Sequence, residues 1–311
     1  LISYGVLLPT LTAGTLPGSG DISDAVSSTF GTEVRFVGAG AIAVAAVWTL
    51  LKILGPIVRG IRAAAVSARA RRTGGTVDLT ERDLPIGIVG GTILVSLIPI
   101  AALLWIFLAS TPVTDNIVLT IVVSLIYIVL IGAVIASVAG YMAGLIGSSN
   151  SPISGVGILV VLGASLVLVA LHGRSGDAER TTGLVAYALF TTAIVFSVAT
   201  ISNDNLQDLK TGQLVGATPW KQQVALVIGV VFGSVVIAPV LDLLNVAFGF
   251  AGAPGAGENA LAAPQAALIS ALAKGVFGGS LNWGLIGLGA AIGAVVIVID
   301  ELLRRFTKLG L

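Results

Sequence analysis

The sequence predicts an all-α membrane protein, a transmembrane bundle of about seven spanning helices with one re-entrant half-helix. Of its 311 residues, 56% are hydrophobic and only 10% are charged, whereas a soluble domain carries about 25% charged residues. The apolar residues come in long runs, and a bilayer core about 30 Å thick needs about 20 of them in a helix. Because backbone groups in lipid must pair within their own segment, these runs are expected to be helical.

Seven apolar runs are long enough to cross a bilayer. They cover residues 34–58, 85–109, 116–141, 153–172, 182–202, 223–250 and 283–303. An eighth run, 264–277, is bounded by Pro264 and Gly278, and its length of about fourteen residues predicts a re-entrant half-helix. We treat 1–311 as a single membrane domain. In it, residues 1–33 form an external loop and residues 59–84 a cytoplasmic basic loop.

The orientation follows from the positions of Lys and Arg. Residues 59–84 contain six arginines, and short loops rich in Lys and Arg face the cytoplasm. Alternation then places 111–115, 173–181 and 251–264 outside, and 148–154 inside. It also returns the basic end at Arg304 and Arg305 to the inside. A single inside–outside alternation therefore agrees with every connection that is rich in Lys and Arg.

Composition also excludes several classes of function. The chain has no cysteine and one histidine, which rules out disulfides, thiolate metal sites and a histidine-based metal site. A net charge of +1 argues against a nucleic-acid partner. No nucleophile–base pair and no phosphate-binding loop pattern is visible, so we expect neither an enzyme nor a cofactor. The chain begins at Leu1, so we expect it to be a segment of a longer protein.

The first candidate site is the polar run at residues 147–155, between the third and fourth predicted helices. Proline and glycine there interrupt helical backbone, and transporters use such broken helices to bind substrates and ions. The alternative is an ordinary polar turn. The run contributes these residues to a predicted substrate path: Ser148, Ser149, Asn150, Ser151, Pro152 and Ser154.

The second candidate follows the fifth predicted helix. If that helix continues, Asp204 and Asp208 lie four residues apart on one face, and neighbouring carboxylates bind a proton more readily than a lone one. We assign them to proton coupling, with Asn203 and Gln207 in the substrate path. The alternative is a solvated helix end at which Lys210 neutralises one acid.

Two further charges lie within apolar segments. Asp242 is inside the sixth predicted helix, and an intramembrane acid is a functional candidate, although it lies close to the outer end. Lys274 is the only charge in the half-helix, where it could meet a substrate carboxylate, pair with an aspartate, or reach the interface. We place Asp242 in reserve for proton coupling and Lys274 in the substrate path.

Two long motifs resemble those of the oligopeptide transporter (OPT) family. Residues 140–155 read GYMAGLIGSSNSPISG, and residues 207–212, QDLKTG, are followed at 216–223 by GATPWKQQ. Residues 34–51 and 263–279 are similar to family segments too. The resemblance therefore covers most of the chain.

This resemblance implies proton-coupled symport of small peptides, or of metal chelates in the yellow stripe-like branch, across the cell membrane. It also implies that the chain is the C-terminal half of a prokaryotic member, with the remaining half and the lipid bilayer as partners and a homodimer as a further assembly. The Asn-Pro-Gly and Lys-Ile-Pro-Pro-Arg motifs of many peptide-transporting members are absent. The alternatives are a passive channel or a membrane-embedded scaffold subunit.

Overall fold

The computed structural model describes residues 3–13, 22–72, 78–113, 115–150, 153–251, 253, 256–257, 259–279 and 281–307. In this part of the chain the regular structure is helical, apart from one isolated bridge between Phe250 and Leu261. The predicted all-α class is therefore confirmed.

The helices follow one another through short connections. Two short ones, α1 and α2, precede the spanning segments, and π-helical turns at Ser3–Leu7 and Phe30–Val34 adjoin them. The bounds are α1 Leu8–Thr12, α2 Ile22–Thr29, α3 Arg35–Arg72, α4 Ile86–Ala109, α5 Ile117–Ile146, α6 Ile153–His172, α7 Ala178–Val215, α8 Pro219–Ala247, α9 Pro264–Gly278 and α10 Trp283–Thr307.

Seven of the described helices, α3 to α8 and α10, are long and apolar enough to cross a membrane, and each matches a predicted span. Two of them exceed the predicted length by more than ten residues. Helices α3 and α7 each have 38 residues, roughly 57 Å at 1.5 Å per residue, so both extend beyond the hydrocarbon core. The reason is that Ala-, Arg- and Gln-containing sequence after the apolar run also favours helix.

Helices α5, α6, α7 and α9 form the centre of the bundle. Helix α6 packs against α3, α5, α7 and α9, and α7 packs against α4, α5, α6, α8 and α9. The Tyr187 side chain of α7 is fully buried, and its hydroxyl donates a hydrogen bond of 3.0 Å to Ser124 Oγ of α5. Helix α8 buries no residue in the described structure, so it lies at the periphery.

Helices α3 and α10 pack through glycine. A Cβ at Gly40 would overlap the backbone of Ile286, and one at Gly289 would overlap the carbonyl of Val37. Small residues at such positions let two helix backbones come into contact. Further along the same pair, Lys52 forms an ion pair with Glu301.

Contacts between connections show which of them share an end of the bundle. The amide of Trp220, at the start of α8, donates to the carbonyl of Arg82 in the α3–α4 connection at 3.2 Å. Arg180 Nη2 of α7 pairs with Asp115 Oδ2 of the α4–α5 connection at 2.9 Å. These contacts agree with the predicted alternation. Which end faces the cytoplasm stays a prediction from the arginine pattern.

The short helix α9 ends beside the α6–α7 connection. Arg174 Nε donates to the carbonyl of Val276 at 3.2 Å, and a guanidinium suits the electronegative end of a helix. Leu272, Ala273 and Phe277 are buried, so the second half of α9 inserts into the bundle. With 15 residues, about 22 Å at 1.5 Å per residue, α9 is shorter than the spanning helices.

Candidate functional site

The polar connection between α5 and α6 departs from helical backbone. Gly147 has φ 85°, in a region that glycine adopts easily, and a 3-10 turn follows at Ser148–Asn150. This turn contacts α7. Ser154 is exposed at the start of α6. Ser151, Pro152 and the side chain of Asn150 lie outside the described residues.

The C-terminal part of α7 carries the two predicted carboxylates. Because α7 continues to Val215, Asp204 and Asp208 do lie one turn apart on a single helix, and both are exposed. Lys210 forms no described ion pair with either one, and its Nζ donates to Gln213 Oε1 at 3.0 Å. Neither aspartate takes part in an ion pair described in this structure.

Asn203 differs from these carboxylates because it points into the bundle. It is 3% exposed, and its Oδ1 has no hydrogen-bond partner among the described residues. A Cβ at Gly157 of α6 would overlap the ring of Phe196 of α7, so the antiparallel register places Asn203 about level with the Ser148–Asn150 turn. A polar turn and an unpaired buried carbonyl therefore lie at the same end of the bundle as Asp204 and Asp208. Gln207, also on this stretch, is exposed.

A groove of about 770 Å³ runs along α8 from this end toward the middle of the helix, and α7 contributes Asp208 to it. Its polar side chains are those of Asp208, Gln222 and Ser234, and its remaining wall is apolar. Gln222 packs against Gly212, where a Cβ would overlap its amide. Its Oε1 is buried and without a described partner. The groove is lined by Asp208, Gln222, Ala225, Leu226, Gly229, Val230, Gly233, Ser234 and Ile237.

The structure does not bring Lys274 or Asp242 to this groove. The contact between Arg174 and Val276 places the end of α9 at the N-terminal end of α7, whereas Asp204 lies roughly 40 Å farther along α7 at 1.5 Å per residue. Lys274 is therefore too far away to pair with Asp204 or Asp208. Asp242 is exposed near the C-terminal end of α8.

Two features were missed by sequence reasoning. Gln222 lies within a quoted motif but carries no charge, so its unpaired oxygen becomes evident only from the packing. Lys52 and Glu301 are charged residues inside apolar runs. Intramembrane charges are functional candidates in general, so the sequence held a usable signal for that pair.

The chain matches the family model described as "OPT oligopeptide transporter protein" over residues 1–310. It is 42% identical over 321 residues to a protein of Haemophilus influenzae named "Putative oligopeptide transporter". That match covers 99% of this chain and 50% of the relative, so the chain spans about half the relative's length. No solved structure matches. The family's description and the relative's name are those of transporters. With seven described helices suited to a bilayer and a family match along nearly its whole length, the chain is a multi-pass membrane protein of the OPT family.

Proposed function

We propose that this chain forms one half of a secondary transporter that imports small peptides across the cell membrane by symport with protons. One observation carries the proposal. At one end of the bundle, Asp204 and Asp208, both without a described ion pair, lie beside a polar turn and a groove. The relative named as an oligopeptide transporter supports peptides as the substrate class. That relative is about twice as long as this chain, which supports a second half of the transporter as the partner of this one.

The chemistry of symport needs a group that changes its charge along the path. A pair of carboxylates one helical turn apart can take up a proton on one side of the membrane and release it on the other. Once a proton is bound, the negative charge of the pair falls from two to one, and the surrounding helices can rearrange with less electrostatic penalty. Asp204 and Asp208 have this spacing on α7, and neither takes part in a described ion pair.

The irregular backbone at Ser148–Asn150 supplies polar groups to the same path. Non-helical backbone at membrane depth is tolerated where it is buried in protein or lines a water-filled cavity. The turn contacts α7, and the buried Asn203 lies about level with it. We assign Lys274 and Asp242, at the opposite end, to the outer part of the path.

Uptake by the natural full-length protein in liposomes tests this function. With an imposed pH gradient, labelled dipeptide should accumulate in a saturable manner, and Asp204→Asn with Asp208→Asn should reduce gradient-driven uptake to the level of empty liposomes. The matched control is Asp83→Asn, an exposed aspartate in the α3–α4 connection, which should leave uptake unchanged.

Two results would contradict the proposal. Full gradient-driven uptake in the double variant would remove the proton role of the aspartates. Flux that neither saturates nor depends on the gradient would favour the passive channel instead.

A further inference from the structure

A small cavity lies among helices α5, α6 and α7 at the centre of the bundle. Its volume is about 10 Å³, and a cavity needs about 10–15 Å³ to hold one water molecule. It therefore has room for a single ligand of about the size of water. The cavity is lined by Ser124, Tyr127, Ala164, Val167, Leu168 and Thr191.

Thr191 brings an unpaired hydroxyl to this cavity. The residue is 2% exposed, and its Oγ1 lies near the Tyr187 hydroxyl but forms no hydrogen bond in the described part of the chain. A threonine inside a helix can instead donate to the carbonyl one turn earlier, as the neighbouring Thr192 does to Ala188 at 2.7 Å. Because burying a polar hydroxyl without a partner costs free energy, Thr191 needs a partner that the described residues do not supply.

Two further hydroxyls that line the cavity keep unused hydrogen-bonding capacity. Ser124 Oγ accepts the proton of Tyr187 at 3.0 Å, and no described hydrogen bond uses the proton of Ser124 itself. Tyr127 donates to the carbonyl of Val160 at 2.7 Å, which leaves lone pairs on its own oxygen. The lining therefore offers three hydroxyls, and a buried water typically makes about three hydrogen bonds.

We infer that this cavity binds one water molecule, which accepts hydrogen bonds from Ser124 and Thr191 and donates one to Tyr127. The inference does not depend on the proposed function. None of the six lining residues is charged, and an ion buried without a counter-charge carries a large desolvation penalty, so a neutral molecule is favoured over a metal cation. The water joins α5 to α7 where their side chains make too few direct hydrogen bonds.

Radiolytic footprinting of the natural full-length protein in detergent tests the inference. Brief X-ray irradiation converts water into hydroxyl radicals, which modify the side chains next to a bound water, and mass spectrometry measures the modified fraction. Leu168 and Leu104 are both buried, but only Leu168 lines the cavity. We therefore expect Leu168 to be modified and Leu104 to be protected.

Two adjacent substitutions on α7 give a matched comparison. Thr191→Val keeps the shape of the side chain but removes its hydroxyl, and it should reduce the modification of Leu168 to the level of Leu104. Thr192→Val removes a hydroxyl that is bonded within its own helix and does not line the cavity, so it should leave the modification of Leu168 unchanged. Replacing Na⁺ with choline in the buffer should also leave it unchanged.

Three outcomes would overturn the inference. Equal modification of Leu168 and Leu104 in wild type would mean that the cavity is dry, and full modification of Leu168 in Thr191→Val would mean that Thr191 holds no water. Stronger modification of Leu168 in choline would place a sodium ion where we place the water. If Thr191→Val does not fold, Ala164→Val, which fills the cavity, replaces it, and undiminished modification of Leu168 in that variant overturns the inference.

Discussion

At the scale of single residues, charges in this bundle have two different environments. Lys52 and Glu301 lie in spanning helices and neutralise each other, and the Lys52 Nζ also lies 5.4 Å from the ring centroid of Trp48. Asp204 and Asp208 have no ion-pair partner in the described structure. Pairing lowers the free energy of a charge near lipid, so the unpaired aspartates need water, protons or substrate as their compensation.

The Lys52–Glu301 pair predicts a measurable coupling between two helices. Lys52→Met leaves Glu301 without its cation, and the double variant with Glu301→Gln removes both charges. Because the side chains are 41% and 37% exposed, we expect a coupling free energy of only about 1 kcal/mol. A double-mutant cycle on the free energy of unfolding in detergent measures it, and additive effects within about 0.3 kcal/mol would contradict the pair.

Sequence spacing was a good guide to Asp204 and Asp208, because both lie on one continuous helix and helical geometry alone determines their separation. It was a poor guide to Lys274. Whether Lys274 lies near an aspartate depends on how α9 enters the bundle, and the contact of Arg174 with Val276 decides that. No local pattern contains such long-range information.

At the scale of elements, helix length and helix packing have different causes. Helix α7 continues past its apolar run because the following residues still favour helix, and it ends at Gly216, whose φ of 79° glycine adopts easily. The pairing of α3 with α10 instead depends on glycines that face the partner backbone. Apolar periodicity predicts that such helices exist, but not which ones pack together.

The α3–α10 interface predicts opposite effects for two substitutions on one helix. At Gly289 a Cβ would overlap the carbonyl of Val37, whereas at Gly287 it meets no atom within 4 Å. We expect Gly289→Ala to lower the free energy of unfolding by about 1–3 kcal/mol. Gly287→Ala should raise it by about 0.5–1 kcal/mol, because alanine favours helix over glycine.

Unfolding of the purified protein in detergent, followed by circular dichroism, compares the two variants with wild type. Equal free energies of unfolding in the two variants would mean that α3 and α10 are not in backbone contact at Gly289.

At the scale of the whole molecule, the two ends of the bundle differ in their bonding. One end is braced by the ion pair of Asp115 with Arg180 and by a 2.8 Å hydrogen bond between Thr120 Oγ1 and His172 Nε2. The other end holds the polar turn, the unpaired oxygen of Asn203 and the groove with Asp208. Buried atoms without a described partner occur at both ends, His172 Nδ1 and Arg180 Nε at the first and Asn203 Oδ1 and Gln222 Oε1 at the second, so the two ends differ by the turn and the groove.

Cysteine labelling tests the predicted orientation of these ends, because the chain contains no cysteine of its own. A membrane-impermeant maleimide applied to intact cells should label Ser110→Cys and Gly176→Cys, which lie in predicted external connections. It should label Leu79→Cys and Lys221→Cys only after the membrane is opened. All four positions are exposed in the structure, so the access of the maleimide to each depends only on the side of the membrane on which it lies. Labelling of Leu79→Cys in intact cells would reverse the orientation.

The sequence by itself determined the class of this protein, the number and approximate bounds of its spanning helices, and its family motifs. These properties are local. In a run of about 20 apolar residues that crosses a bilayer, the backbone N–H and C=O groups can all form hydrogen bonds within the run only if it is a helix. The tertiary structure alone decided which helices form the centre, that Lys274 lies far from Asp204, and that Asp208 and Gln222 face one groove. Those relations depend on packing between segments distant in the chain, where single glycines and side-chain shapes select the neighbours.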